Sequence, residues 1–220
     1  MPLPALRLSL PALPLSLPAV VGVGLRDGGL MRLLTRDEAH RYELHRSDLI
    51  RERQREFIAG IHKGIEAFRR IFGNESPTWS FKSYNAFALT AGSVIFHQLY
   101  RELTTVIRGY CNHGGPLWFQ SWVNFHLQHE VLDWHRHRNS AVHGYISIQP
   151  HKTKTLFETY EIINEVGNLY IAPSGQKHKV EVLEDFRTPR ITIAFDVFDE
   201  RNIAQIHGEN KHVNLSVMPL

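Results

Sequence analysis

The sequence predicts an α+β chain, mainly β, in which helices of the first half buttress a β-barrel or jelly roll in the second. Three observations predict it. Apolar residues recur at helical spacing at Phe57, Ile61, Ile65, Phe68 and Phe72, with Arg, Glu and Gln filling the opposite face. From Leu117 onward the texture changes to short runs of aromatic and β-branched residues, broken by turn residues at the intervals of all-β sandwiches and barrels. No internal repeat or long linker parts the halves, so a single domain over residues 1–220 with one shared core is expected, a length that suits it.

Residues 1–30 alternate leucine with proline and serine, and prolines 2, 4, 11, 14 and 18 break every apolar run. Period-two alternation with proline is tolerated at sheet edges, so an extended arm or edge strands are expected there, not the unbroken apolar stretch of a secretory signal. Helical support is expected over 35–110. Thr35 and Glu38 form a capping box, each side chain placed to satisfy the other's backbone amide, and the stretch that follows should be helix. The helix through Phe57 should stop at Gly73. A second follows from Leu99, Leu103, Val106, Ile107 and Tyr110, and ends before Asn112-His-Gly-Gly-Pro116, with His97 and Glu102 solvated on its outer side. The jelly-roll core is expected over 117–198, with strands at Leu117–His126, Gly144–Gln149, Leu156–Asn164, Asn168–Ala172, Lys179–Leu183 and Arg190–Phe198.

Composition narrows the function classes. At 43% hydrophobic and 21% charged, and without the roughly 18 uninterrupted apolar residues of a membrane helix, the chain reads as globular with no membrane partner. A net charge of +3, with basic residues scattered among acidic ones, argues against a nucleic-acid partner. Cys111 stands alone, so an internal disulfide is ruled out and a reducing cytoplasmic compartment is expected. Histidine is the excess: fourteen in all, five of them between 126 and 143. Imidazole is the commonest transition-metal ligand, so a metal is expected here, although any one of these histidines alone reads as surface or core.

Three features of the β half combine. In Trp134-His135-Arg136-His137, residues i and i+2 of an extended segment face one side, so His135 and His137 can address a single ion. His178 follows a Pro-Ser-Gly turn at the start of a strand; taken alone it would be a loop histidine flanked by lysines. Arg190 then enters an apolar alternating strand, Pro189-Arg-Ile-Thr-Ile-Ala-Phe195. Burying its charge costs hydration unless a carboxylate repays it. The planar guanidinium fits a carboxylate bidentately, with Thr192 adding a hydroxyl on the same side. The competing reading pairs Arg190 with a structural acid, Asp185 or Glu184.

The order His-x-(acid), a distant His, then Arg-x-Ser/Thr about a dozen positions on resembles the Fe(II)- and 2-oxoglutarate-dependent oxygenases. Trp122-Val-Asn124, His143-Gly-Tyr145, Gly167…Pro173-Ser174…His178 and Pro189…Phe195 resemble the compact phage and marine-bacterial branch of that superfamily, over residues 118–198. The resemblance implies a double-stranded β-helix with iron at its open end and an oxidative decarboxylation of 2-oxoglutarate by O2 that serves to hydroxylate a C–H bond of a small molecule, amino-acid side chain or nucleobase. It implies His135 and His178 as metal ligands, Arg190 and Thr192 as the clamp on 2-oxoglutarate, and Tyr145 and Asn124 as further cosubstrate contacts. The sequence departs from the pattern where an acid is usual and His137 stands. Either His137 is the third ligand, or Asp133 replaces it, or a position stays open to water or chloride. Two other readings remain at this point: a cupin-like metal protein or dioxygenase that does not use 2-oxoglutarate, and a non-catalytic β-sandwich whose histidines are incidental. A zinc hydrolase is disfavoured, because no glutamate lies at a short fixed spacing from the histidines to act as base.

Overall fold

The computed structural model describes residues 41–73, 84–137, 139–209 and 216–220. The arm expected over 1–30 and the Thr35–Glu38 capping box lie outside them. Contacts group the chain into Met1–Glu38 and Ala39–Leu220, and the fold described is that of the second unit.

In chain order the elements are β1 (Glu43–Arg46), α1 (Asp48–Phe72), α2 (Ala86–Leu89), α3 (Val94–Cys111), β2 (Trp118–His126), β3 (Val142–Gln149), β4 (Thr153–Phe157), β5 (Glu161–Ile163), β6 (Asn168–Pro173), β7 (His178–Val182), β8 (Arg190–Phe198), α4 (Glu200–Glu209) and β9 (Met218–Pro219). Every strand pair is antiparallel. A six-stranded sheet runs β1-β6-β3-β8-β2-β9 and a three-stranded sheet runs β5-β4-β7. From β3 to β8 the chain passes from the large sheet to the small one and back twice, which is the jelly-roll, double-stranded β-helix arrangement.

Alternation along β8 explains the layering. Ile191, Ile193, Phe195 and Val197 point one way, and Arg190, Thr192, Ala194 and Asp196 the other. Cross-strand partners share a face, so register carries each set across the sheet. Asn124 and Ser147 stand beside Thr192, Trp122 and Tyr145 beside Ala194, and His143 beside Asp196. The apolar set joins Phe119, Ile146, Ile148, Leu169 and Ile171 in a core closed by Ile50, Phe57 and Ile61 of α1 and Leu99, Leu103 and Ile107 of α3. Each such side chain contributes about 1.5–3 kcal/mol by leaving water. The opposite face looks toward the small sheet, where Tyr145, Phe157, Ile162, Tyr170 and Ala172 form a second cluster.

The helices end as their sequences require. Gly73, at φ 63°, closes α1 with its N–H on the Arg69 carbonyl, and Asn112, at φ 45°, closes α3. The helix expected to follow Thr35–Glu38 does not run through Glu43–Arg46, which pairs with β6 as strand β1; α1 begins after it, where Ser47 accepts from Ile50 N at 3.3 Å as the cap. Its hydroxyl also donates to Glu102 Oε2 at 2.9 Å, so Glu102 is half-buried and bonded, not solvated. His97 is exposed, as expected. The strand expected over Leu156–Asn164 is instead a hairpin of β4 and β5. Phe157 N donates to the Tyr160 carbonyl, so Glu158 and Thr159 make the turn without the Gly, Asn or Asp that advertises one. No helix among the described residues is long and apolar enough to cross a membrane.

A candidate metal centre

The segment carrying His135 and His137 is not a full strand. It meets β7 through one antiparallel bridge, in which His135 N donates to the His178 carbonyl and His178 N to the His135 carbonyl, both at 2.9 Å. This bridge brings the two distant stretches together. The rings of His135 and His178 have centroids 4.3 Å apart, and His137 lies 5.7 and 5.4 Å from them. One nitrogen from each of the three can be taken so that all lie within 4.8 Å of one another.

The other nitrogen of each ring is engaged. Nδ1 of His135 meets the Asp133 carbonyl at 2.7 Å, Nδ1 of His178 the Gln176 carbonyl at 3.0 Å, and Nδ1 of His137 the Asp196 carboxylate at 2.8 Å. A carbonyl or carboxylate only accepts, so each Nδ1 carries a proton and, in the neutral ring, Nε2 keeps its lone pair. Burial favours that neutral form: it pushes His178 down to about 3, aided by the charges of the neighbouring rings, and lowers His135 against its bond to Asp133. At His137 burial pulls down, but the charge and hydrogen bond of Asp196 outweigh it and the net shift is upward. In the neutral form that binds metal, three imidazoles each oriented by an oxygen at Nδ1 are a donor set that suits Fe(II) and its neighbours. Asp133 spends a carboxylate oxygen on Trp134 N at 2.7 Å and is outside the converging set. Trp122 stacks on His137 at 5.5 Å, and Phe157 lies 5.4 Å from His178, so apolar rings wall the group.

Arg190 stands on the same face of β8 as Asp196, at the other end of the strand. It is 3% exposed, and among the described residues no carboxylate forms an ion pair with it. Asp185 instead accepts from Gln128 Nε2 at 2.6 Å, which removes it as the structural acid. Nη1 of Arg190 donates to Thr192 Oγ1 at 3.4 Å, while its buried Nε has no partner among the described residues. Burial lowers the guanidinium to about 10, which leaves it a cation at neutral pH. Asn124 Nδ2 also donates to Thr192 Oγ1 at 3.4 Å, and its Oδ1, like Ser147 Oγ across the sheet, is buried without a partner among the described residues. A buried cation ringed by unmatched polar atoms costs several kcal/mol, which a carboxylate bound there would offset. Tyr145 lies on this face too, its hydroxyl donating to Asn164 Oδ1 at 3.1 Å and pushed up to about 12 by burial.

Four residues of this region had no role assigned from the sequence, although His126 and His143 belong to its histidine cluster and His143 to the quoted motif. Asp196 and Ser140, whose hydroxyl reaches Asp196 Oδ1 at 3.3 Å, hold His137. His126 pairs in register with Arg190 and is lowered to about 4, chiefly by burial and then by that charge. His143 packs beside the triad. Asp196 had a signal: it is the second charged residue at an even position of an otherwise apolar strand.

No family model and no curated protein matches the chain. Among solved structures, a cupin-2 domain protein from Shewanella frigidimarina is 21% identical with a TM-score of 0.28, over 34% of this chain and 68% of that one. The non-heme alpha-ketoglutarate-dependent epimerase SnoN from nogalamycin biosynthesis is 13% identical with a TM-score of 0.47, over 74% of this chain and 80% of that one. The functional reading stands on the residues themselves.

Proposed function

We propose that the chain is a non-haem Fe(II)- and 2-oxoglutarate-dependent oxygenase. What supports this above all is the converging His135–His137–His178 set, tied through the His137–Asp196 bond to the same face of β8 that carries, further along, the buried cation of Arg190, which has no carboxylate partner among the described residues. His135, His137 and His178 would hold the iron, and the Asp196 carboxylate behind His137 supplies the negative charge that an acidic ligand would have brought. Bound iron with 2-oxoglutarate would supply oxidative decarboxylation of the cosubstrate by O2 and hydroxylation of a C–H bond.

The chain's own residues do the rest. Arg190 grips the cosubstrate's far carboxylate through a bidentate, charge-assisted pair. Thr192 Oγ1 already accepts from Arg190 and Asn124, so its proton is free to donate to the same carboxylate. Asn124 and Tyr145 flank that position, and the rings of Trp122 and Phe157 keep water from the histidines. A cupin-type dioxygenase without a cosubstrate would use the same triad but leaves Arg190 unexplained.

The test has two arms. His178→Ala should abolish stoichiometric Fe(II) or Co(II) binding in a calorimetric titration. Arg190→Ala should keep the metal but weaken 2-oxoglutarate binding by a factor of about 100, as expected for losing a buried charge-assisted pair worth about 3 kcal/mol. Succinate release by the wild-type protein, absent from both variants at modest 2-oxoglutarate, supports the reading. Oxygen uptake that does not need 2-oxoglutarate refutes it.

A further inference from the structure

His143 is the buried group that the proposed centre leaves unused. It stands on β3 opposite Asp196 and Ala172, on the face that carries Tyr145, and is 2% exposed. Its ring centroid is 5.0 Å from that of His137 and 5.2 Å from that of His178, yet it is not one of the three residues whose nitrogens converge. It is therefore beside the ion's position and not in the ligand set.

Its chemistry is unfinished. A neutral imidazole bears a proton on one nitrogen and a lone pair on the other. Nε2 is sealed from solvent and has no hydrogen-bond partner among the described residues, and Tyr170 meets the ring edge to face at 5.8 Å. A leucine there would avoid the loss of hydration, so a polar ring at this place is a cost in the free protein.

We infer that His143 is a binding residue for the exogenous ligand of the metal, its Nε2 hydrogen-bonding an anionic or oxygen ligand seated on a position that the three histidines leave open. The inference rests on the metal reading above. Two features favour that role over a fourth ligand or a packing role. The ring sits outside the converging set, and it lies on the face that leads along β3 past Tyr145 toward the strand end of Arg190, where a carboxylate-bearing molecule would lie.

Azide, a small anion that binds open metal positions whatever the cosubstrate, tests this on the full chain loaded with Co(II), read by visible absorption. Wild-type protein should bind one Co(II) and shift its bands on azide addition. His143→Leu should keep Co(II) affinity within about threefold while azide binding weakens at least about tenfold, the loss of one charge-assisted hydrogen bond. His143→Asn, which restores an amide donor, should recover part of it. The metal-free Leu variant should melt no lower than wild type. Unchanged azide affinity in the Leu variant, a hundred-fold loss of Co(II) affinity, a collapse of its melting temperature, or no recovery of azide binding in the Asn variant would each overturn the inference. Absence of Co(II) binding by the wild type would overturn the metal reading, and this one with it.

Discussion

Asp196 meets His137 Nδ1 at 2.8 Å and lies 3.3 Å from Ser140 Oγ, whose single hydroxyl proton it shares with Ser174 Oγ at 3.0 Å. Ser174 Oγ donates to the His137 carbonyl at 3.1 Å, so backbone and ring of that histidine are held from both sides. A carboxylate one hydrogen bond from a ligand nitrogen raises the basicity of that ligand and fixes its tautomer. Asp196→Asn keeps the shape and loses the charge. It should weaken Co(II) or Fe(II) binding by about 10–100-fold in a competition titration while leaving His135 and His178 in place. At this scale the sequence told the residue types and little of their pairing. The spacing of His135 and His137 placed both on one side, and the arginine in an apolar strand announced a charge that needs a partner. His143 was hidden, because whether it faces core or cavity depends on the register of β3 against β8.

Between β3 and its neighbours the backbone approaches more closely than a side chain permits. A Cβ on Gly144 would run into the Tyr170 carbonyl and the Phe195 ring. Gly144 lies between His143 and Tyr145, so the strand that carries both is seated by the one residue that has no side chain. Gly144→Ala should cost about 1–3 kcal/mol, the range for overpacking a dense interior, measured as a lowered denaturation midpoint at unchanged slope. Strands with strict alternation, β8 above all, could be read to the residue. The β4–β5 hairpin could not, because its turn residues Glu158 and Thr159 lack the usual signature. Nor could β1, whose four residues are too few to show a period. The helix expected from Thr35 onward begins only at Asp48, because Glu43–Arg46 pairs with β6, a long-range contact that a local capping pattern does not show.

The helical layer and the large sheet meet at Ser47, whose N–H donates to the Gly167 carbonyl at 2.8 Å while its hydroxyl donates to Glu102. Burial lifts the Glu102 carboxyl above the ordinary carboxylate range, an effect that the Ser47 bond opposes without cancelling. A folded pKa raised above the unfolded one means that the group's contribution is complete below about pH 4.3 and is lost as pH climbs through the folded value. Glu102→Gln should therefore melt higher than wild type near pH 7, with the difference vanishing near pH 4. At the scale of the whole molecule the sequence indicated helices before a jelly roll. It did not show which strands cross to the small sheet, since that follows from long-range pairing. The two faces of β8 carry a last consequence. Inserting one residue in the middle of that strand would reverse its pleat from there on, sending Phe195 toward the histidines and Asp196 into the helical layer. Such a lesion could not spare the fold while silencing the chemistry, so β8 is the poorest place in the chain to graft a tag and the surest place to destroy both at once.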